Sequence, residues 1–372
     1  YATLAKAAEA APDGATIYVM SDVEMNQMAW VWEKELTITS YGVDPVTLSR
    51  GENFHTNADP ARQHYNPAMI EVGGETEQGT VSSLILTHII LDDMGKYEGE
   101  YFVQADSEGD GETTVSRSEV PNTSIVQDAI IATYNGMGTI TLGDGAELRN
   151  YGGMSAVRLS GGELIMEEGS AILDTTENER EKGASGSFGP AGAVWLQGGI
   201  LTMNGGTIGG DKGVMMNGRA LYADGGTANI GGTIQNIHGT DAAWQGQNGV
   251  AVHLRSHGEA TLASTGEITN VTGTNAGNNC AIWTQFCNFT TKAGSKISHV
   301  DGFQLLYFDD LDNNNYSHEV YLNGTISECA SGSASLLRSW YGQITFGPNS
   351  VIENCSSSMF TLQRRTKLLQ MV

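Results

Sequence analysis

The chain has 372 residues, with 19 Lys and Arg against 43 Asp and Glu, a formal net charge of -24. That balance excludes a nucleic-acid partner, because phosphate backbones are held by clustered Lys and Arg. It suits an extracellular protein or a neutral ligand. No apolar run approaches the roughly 18 residues of a membrane span, and 48 Gly with only 7 Pro suit an all-β chain rich in turns.

At the start, Leu4, Ala7, Ala8 and Ala11 recur at helical spacing, and Pro12-Asp13-Gly14 ends the pattern. Residues 1–14 are expected to form an N-terminal capping helix that hides open sheet edges. No signal peptide begins at Tyr1, so the chain reads as an excised mature segment. Short apolar strands follow at 15–19, 37–39, 46–48, 69–72, 84–86 and 89–91. Residues 94–126 interrupt the pattern as an acidic loop insertion. Within them, Asp106-Ser-Glu-Gly-Asp-Gly111 hints at calcium, but no carboxylate stands at the twelfth position, so a solvated loop is the preferred reading. No other cofactor is expected, and no Cys-x-x-Cys or His cluster points to zinc.

From residue 128 onward a short apolar strand recurs nine times, at 128–133, 155–159, 192–196, 219–223, 250–254, 280–284, 304–308, 335–339 and 360–364. Its fourth position alone departs from the apolar framework, running Ile131, Arg158, Trp195, Tyr222, His253, Trp283, Tyr307, Arg338, Gln363. Two further apolar segments separate these strands. One is exemplified by Leu164-Ile-Met166 and the other by Gly266-Glu-Ile-Thr-Asn270, whose closing Asn suits a left-handed turn. Three short strands per repeat of about 25–30 residues define a parallel β-helix spanning 15–372, in which stacked coils share one core. Pectin-lyase-like solenoids have the same plan, and that resemblance implies a right-handed coil. Cys329 and Cys355 hold matching places in consecutive coils and are expected as stacked buried thiols, a bond between them being the alternative; Cys280 and Cys287 flank one strand and could pair across its end. Residues 367–372 end in a strand pattern, so the chain is expected to continue or another chain to cover this edge.

Alternate residues of a strand face opposite sides, so the fourth position builds an outward ladder of rings and guanidinium groups. Aromatic faces stack on sugar rings, and Arg and His bind sugar hydroxyls. At roughly 4.8 Å per coil, the ladder is about one short oligosaccharide long. Long loops at 174–192, 238–249 and 272–279 should wall it. The middle one carries Asp241, Trp244, Gln245 and Asn248 and runs into His253. In the ladder His253 is read as an outward hydroxyl binder; His88, His238 and His299 are read as solenoid or turn residues.

An acid beside aromatics at a groove centre is where glycosidic cleavage could occur, and such cleavage normally uses two carboxyl groups. On these features the chain resembles glycoside hydrolase family 136, the right-handed β-helix lacto-N-biosidases of gut bacteria. That resemblance implies a pair of catalytic aspartates seven residues apart in a coil loop. Asp241 fits the first position and Asn248 departs at the second: either an isosteric amide that cannot ionise replaces the acid, or the active pair lies elsewhere, Asp93/Glu100, Asp174/Glu181 and Asp312/Glu319 having the same spacing. It also implies an oligosaccharide partner and a helical chaperone-like domain or chain, of which these residues hold only the short cap.

The expected function is thus a secreted or cell-surface bacterial glycosidase releasing lacto-N-biose from milk-type or mucin-type oligosaccharides. Asp241 and Asn248 hold the catalytic positions. Trp195, Tyr222, Trp244, Gln245, His253, Trp283 and Tyr307 line the subsites, and Arg158 and Arg338 bind polar ends. The alternative is a non-catalytic glycan-binding adhesin or stalk of a Gram-positive gut bacterium, favoured by the missing second carboxylate. A polysaccharide lyase acting on uronates ranks third, since so acidic a protein repels acidic substrates.

Overall fold

The computed structural model describes residues 1–55, 68–74, 81–95, 100–104, 112–116, 129–134, 136–153, 155–176, 192–239, 249–273, 280–302, 304–310, 318–331, 335–362 and 366–370. Each repeat gives one strand to each of three parallel sheets, of 12, 12 and 11 strands. The first sheet opens with Ala15–Val19 and closes with Thr366–Gln370; the second opens with Val23–Gln27, and the third, the ladder sheet, with Ala29–Trp32. Sheet neighbours are one repeat apart in sequence, so the chain winds as a right-handed parallel β-helix, the hand that parallel crossovers take.

Aliphatic columns explain why the coils stack. In the second sheet Val23, Leu48, Leu91, Leu148, Ile172, Ile208, Ile234, Ile268, Ile297, Ile326 and Ile352 lie in register, one per coil. The ladder sheet has an inward column of Ile70, Ile131, Val157, Val194, Leu221, Val252, Ile282, Leu306 and Leu337, all closed to solvent. Full burial of such a side chain is worth about 1.5–3 kcal/mol, and a lone coil would leave two edges of every residue uncovered.

The turn leaving the second sheet is left-handed where the closing Asn suggests it. Asn150, Asn236, Asn270 and Asn354 have φ of 51°, 54°, 51° and 54°, and His299 and Glu328 take the same place at 53° and 55°. Asn270 Nδ2 donates to Asn236 Oδ1 at 2.6 Å, and Asn236 Nδ2 donates to the Gly210 carbonyl at 3.0 Å. His88 also lies at a left-handed turn, φ 48°, and His238 Nδ1 lies 2.9 Å from Thr272 Oγ1. Two second-sheet strands, Ala171–Asp174 and Thr207–Gly210, carry no closing Asn and were not legible from that signal. In the latter, a Cβ on Gly209 would overlap the Gln235 carbonyl of the next coil.

At the first coil, helix Leu4–Ala10 buries Leu4, Ala7 and Ala8, and the Thr3 side chain accepts from the Lys6 amide. The Lys34 ammonium donates to the carbonyls of Ala8, Glu9 and Ala11 at 2.8–3.2 Å, closing the helix C-terminus as its dipole favours. Inside the 94–126 insertion, Glu100–Gln104 pairs antiparallel with Glu112–Ser116; the calcium-like stretch 106–111 lies outside the described residues. At the base of the insertion the buried Arg50 pairs with the buried Asp93, which also accepts from the Gly152 amide at 2.6 Å. Cys280, Cys287, Cys329 and Cys355 are free thiols, so neither pairing suggested by their spacing forms. Among the described residues no helix is long and apolar enough to cross a membrane.

Candidate functional site

Strand register puts the fourth-position residues into one column: Trp30, Glu71, Ala132, Arg158, Trp195, Tyr222, His253, Trp283, Tyr307, Arg338, Thr361. The ends differ from the sequence reading. Ile131 pairs with Val157 and belongs to the core, so Ala132 holds the ladder place. Thr361, not Gln363, pairs with Arg338. Glu71 was missed although Ala68-Met-Ile-Glu71 follows the same pattern; it is fully buried.

The central members form a continuous column of ring contacts, tilted from Trp195 to His253 and stacked from His253 to Tyr307, closed by a guanidinium at each end. Arg158 lies over Trp195 at 4.8 Å and Arg338 over Tyr307 at 5.2 Å. Between them the ring centroids are 6.3 Å apart for Trp195 and Tyr222, 5.0 Å for Tyr222 and His253, 4.3 Å for His253 and Trp283, and 6.1 Å for Trp283 and Tyr307. Arg219 lies over the Tyr222 ring at 5.1 Å, and Arg255 Nη1 donates to the Tyr222 hydroxyl at 3.3 Å. Arg158 donates twice to Gln197 Oε1, at 2.9 and 2.7 Å.

The ladder is not the open stripe expected from alternation. Arg158, Trp195, His253, Trp283 and Tyr307 are 2–7% exposed, while Tyr222 and Arg338 are half-buried. Alternation reports which side of a sheet a residue takes, and nothing about what covers that side. His253 is therefore buried, where the sequence reading set it outward. Asp241, Trp244, Gln245 and Asn248 lie outside the described residues, as does nearly all of the three loops expected to wall the groove.

Burial sets the electrostatics. Desolvation, reinforced by Arg219 and Arg255, holds the His253 imidazole well below its usual value, so it is neutral at pH 7. Desolvation lowers Arg158 and Arg219 to about 10 and raises the Tyr307 hydroxyl to about 12. Both His253 ring nitrogens and the indole Nε1 of Trp195 and Trp283 are buried with no hydrogen-bond partner among the described residues. A neutral imidazole carries one donor and one acceptor, so the stack presents three N–H donors and one lone pair. Leaving a buried polar group unpaired costs about 1–3 kcal/mol, and such groups are rare unless something uses them.

A cleft of about 470 Å³ lies on the outer face of the second sheet between Glu168, Ser170, Thr207, Asp211, Thr233 and Gln235. None of the residues singled out in the sequence lines it. The described residues hold no group of three or more His, Cys, Asp or Glu arranged to bind a metal.

The molecule is thus a right-handed parallel β-helix with an arginine-capped aromatic stack along one sheet. No protein-family model and no curated protein matches the chain. Among solved structures it is similar to the A-module of the Azotobacter vinelandii mannuronan C-5 epimerase AlgE4, with a TM-score of 0.29 and 10% identity over 98% of this chain and 93% of that one. The strand registers themselves define the fold.

Proposed function

We propose that the chain is a carbohydrate-active β-helix protein, a glycosidase resembling family 136 that releases lacto-N-biose from milk-type or mucin-type oligosaccharides outside a gut bacterium. The observation that supports this most is the set of N–H groups on Trp195, His253 and Trp283 that have no partner among the described residues, held in one column of ring contacts. Aromatic edges bearing donors match the alternating apolar faces and hydroxyls of a sugar. In this reading Trp195, Tyr222, Trp244, Gln245, His253, Trp283 and Tyr307 line the subsites, and Arg158 and Arg338 bind the polar ends. Asp241 supplies the catalytic carboxyl group, and Asn248 holds the place of its partner, able to bind substrate but not to ionise. Because the stack is buried, sugar binding there requires whatever packs over the ladder to move.

That burial favours a second reading, a non-catalytic adhesin or stalk whose stack stiffens the solenoid. Hydrolysis of an aryl lacto-N-bioside separates the two. The glycosidase reading expects Asn248→Asp to gain turnover and Asp241→Ala in that background to lose it. No gain, with Asp241 dispensable, leaves the binding reading.

A further inference from the structure

Two coils apart, on the turns that lead from the ladder sheet into the first sheet, His257 and His318 meet: His257 Nδ1 lies 3.2 Å from His318 Nε2. The other nitrogen of His318, Nδ1, lies 2.6 Å from Oδ1 of Asp310, whose carboxylate is closed to solvent. Asp310 Oδ2 also accepts from the His318 amide at 3.3 Å. Asp310 therefore fixes the tautomer of His318 with the proton on Nδ1 and leaves Nε2 as a lone pair aimed at His257. His318 is mostly buried, with 11% of its side chain exposed, and His257 faces solvent.

We propose that this pair is a binding site for a divalent transition metal of the zinc class, with His257 Nδ1 and His318 Nε2 as ligands and Asp310 behind them. Two nitrogens bound to zinc at about 2.0–2.1 Å in tetrahedral geometry stand roughly 3.3 Å apart, close to the separation here. A carboxylate behind a histidine ligand is the recurrent arrangement that orients the ring and raises its basicity. The buried negative charge of Asp310 also offsets the charge of the cation. In the protein alone His257 Nδ1–H donates to the lone pair of His318 Nε2, and metal binding moves that proton to His257 Nε2, freeing Nδ1 as a ligand with no net proton lost. Two protein ligands leave positions for water on the exposed His257 side. Cys287 lies on the intervening turn but is not a third ligand: its thiol donates to the Gln285 carbonyl, and burial pushes it up to about 12. The histidines stand 61 positions apart, which hid the pair from any search for local ligand spacing.

The test is calorimetric titration of the whole chain with Zn²⁺ alone. One equivalent should bind saturably. His257→Asn, at an exposed position whose φ of 62° Asn tolerates, should weaken binding at least a hundredfold. His318→Asn should do the same, and Asp310→Asn should weaken it about 10–100-fold. Absence of saturable binding to the unmodified chain overturns the proposal, as does a less than tenfold change in His257→Asn, which would place the zinc elsewhere, for instance at the exposed His299–Glu328 pair. Because His257 is exposed, its variant decides the matter even if Asp310→Asn fails to fold.

Discussion

His253 stacks on Trp283 with centroids 4.3 Å apart and planes 22° from parallel, and neither ring's N–H has a partner among the described residues. The pair is well packed and poorly satisfied at once. Packing alone would be served as well by two apolar rings, so the unmet polar atoms are the part of the stack that asks for a ligand.

His253→Phe keeps the ring and removes both nitrogens. If they are unpaired in the protein alone, the variant should be more stable, by on the order of 1 kcal/mol. The denaturant midpoint at neutral pH measures this; a lower midpoint would mean that the nitrogens already have partners.

The same histidine makes stability depend on pH. An ordinary imidazole titrates near 6.5, and folding holds His253 well below that. Between the two values the unfolded chain binds a proton that the folded chain does not, so stability falls as pH drops below about 6.5. The slope from this group is up to about 1.4 kcal/mol per pH unit, and it ends once pH falls below the folded value. Urea melts of the protein and of His253→Phe between about pH 8 and about pH 5 should diverge by this slope. Parallel curves would contradict the burial of a neutral imidazole.

Asp93→Ala leaves the Arg50 guanidinium buried without its carboxylate, which costs about 3–5 kcal/mol. Arg149 pairs with Glu147 at 2.6 Å but is 31% exposed, so Arg149→Ala should cost less than about 1 kcal/mol. Denaturant melts of both variants compare them directly.

At Asn270, φ is 51°. Asn270→Val should lose about 1–2 kcal/mol from left-handed strain plus the bond to Asn236, while Asn270→Gly should lose only the bond. Equal losses would show that the turn conformation is not what selects Asn.

Much of the fold was legible because a coil repeats its chemistry. The aliphatic columns, the closing Asn residues and the variable fourth position all recur once per turn of the chain. Strands without the closing signal, such as Thr207–Gly210, were not legible, since Gly209 is there to let Gln235 approach. Register was readable within the repeat but not at its ends, where Ala132 and Thr361 displaced Ile131 and Gln363. Burial of the ladder was hidden because alternation names a side, not its cover. His257 and His318 were unreadable as a pair, because only the winding of two coils brings them together. Asp241, Trp244, Gln245 and Asn248 remain a reading of the sequence.

The central claim, that the stack serves a sugar, is tested most directly by calorimetric titration of a lacto-N-biose-terminated oligosaccharide into the protein and into folded His253→Phe. The account predicts saturable binding at one site in the first and at least tenfold weaker binding, about 1.4 kcal/mol, in the second. Equal affinity in both, or no binding to the unmodified protein, would contradict it.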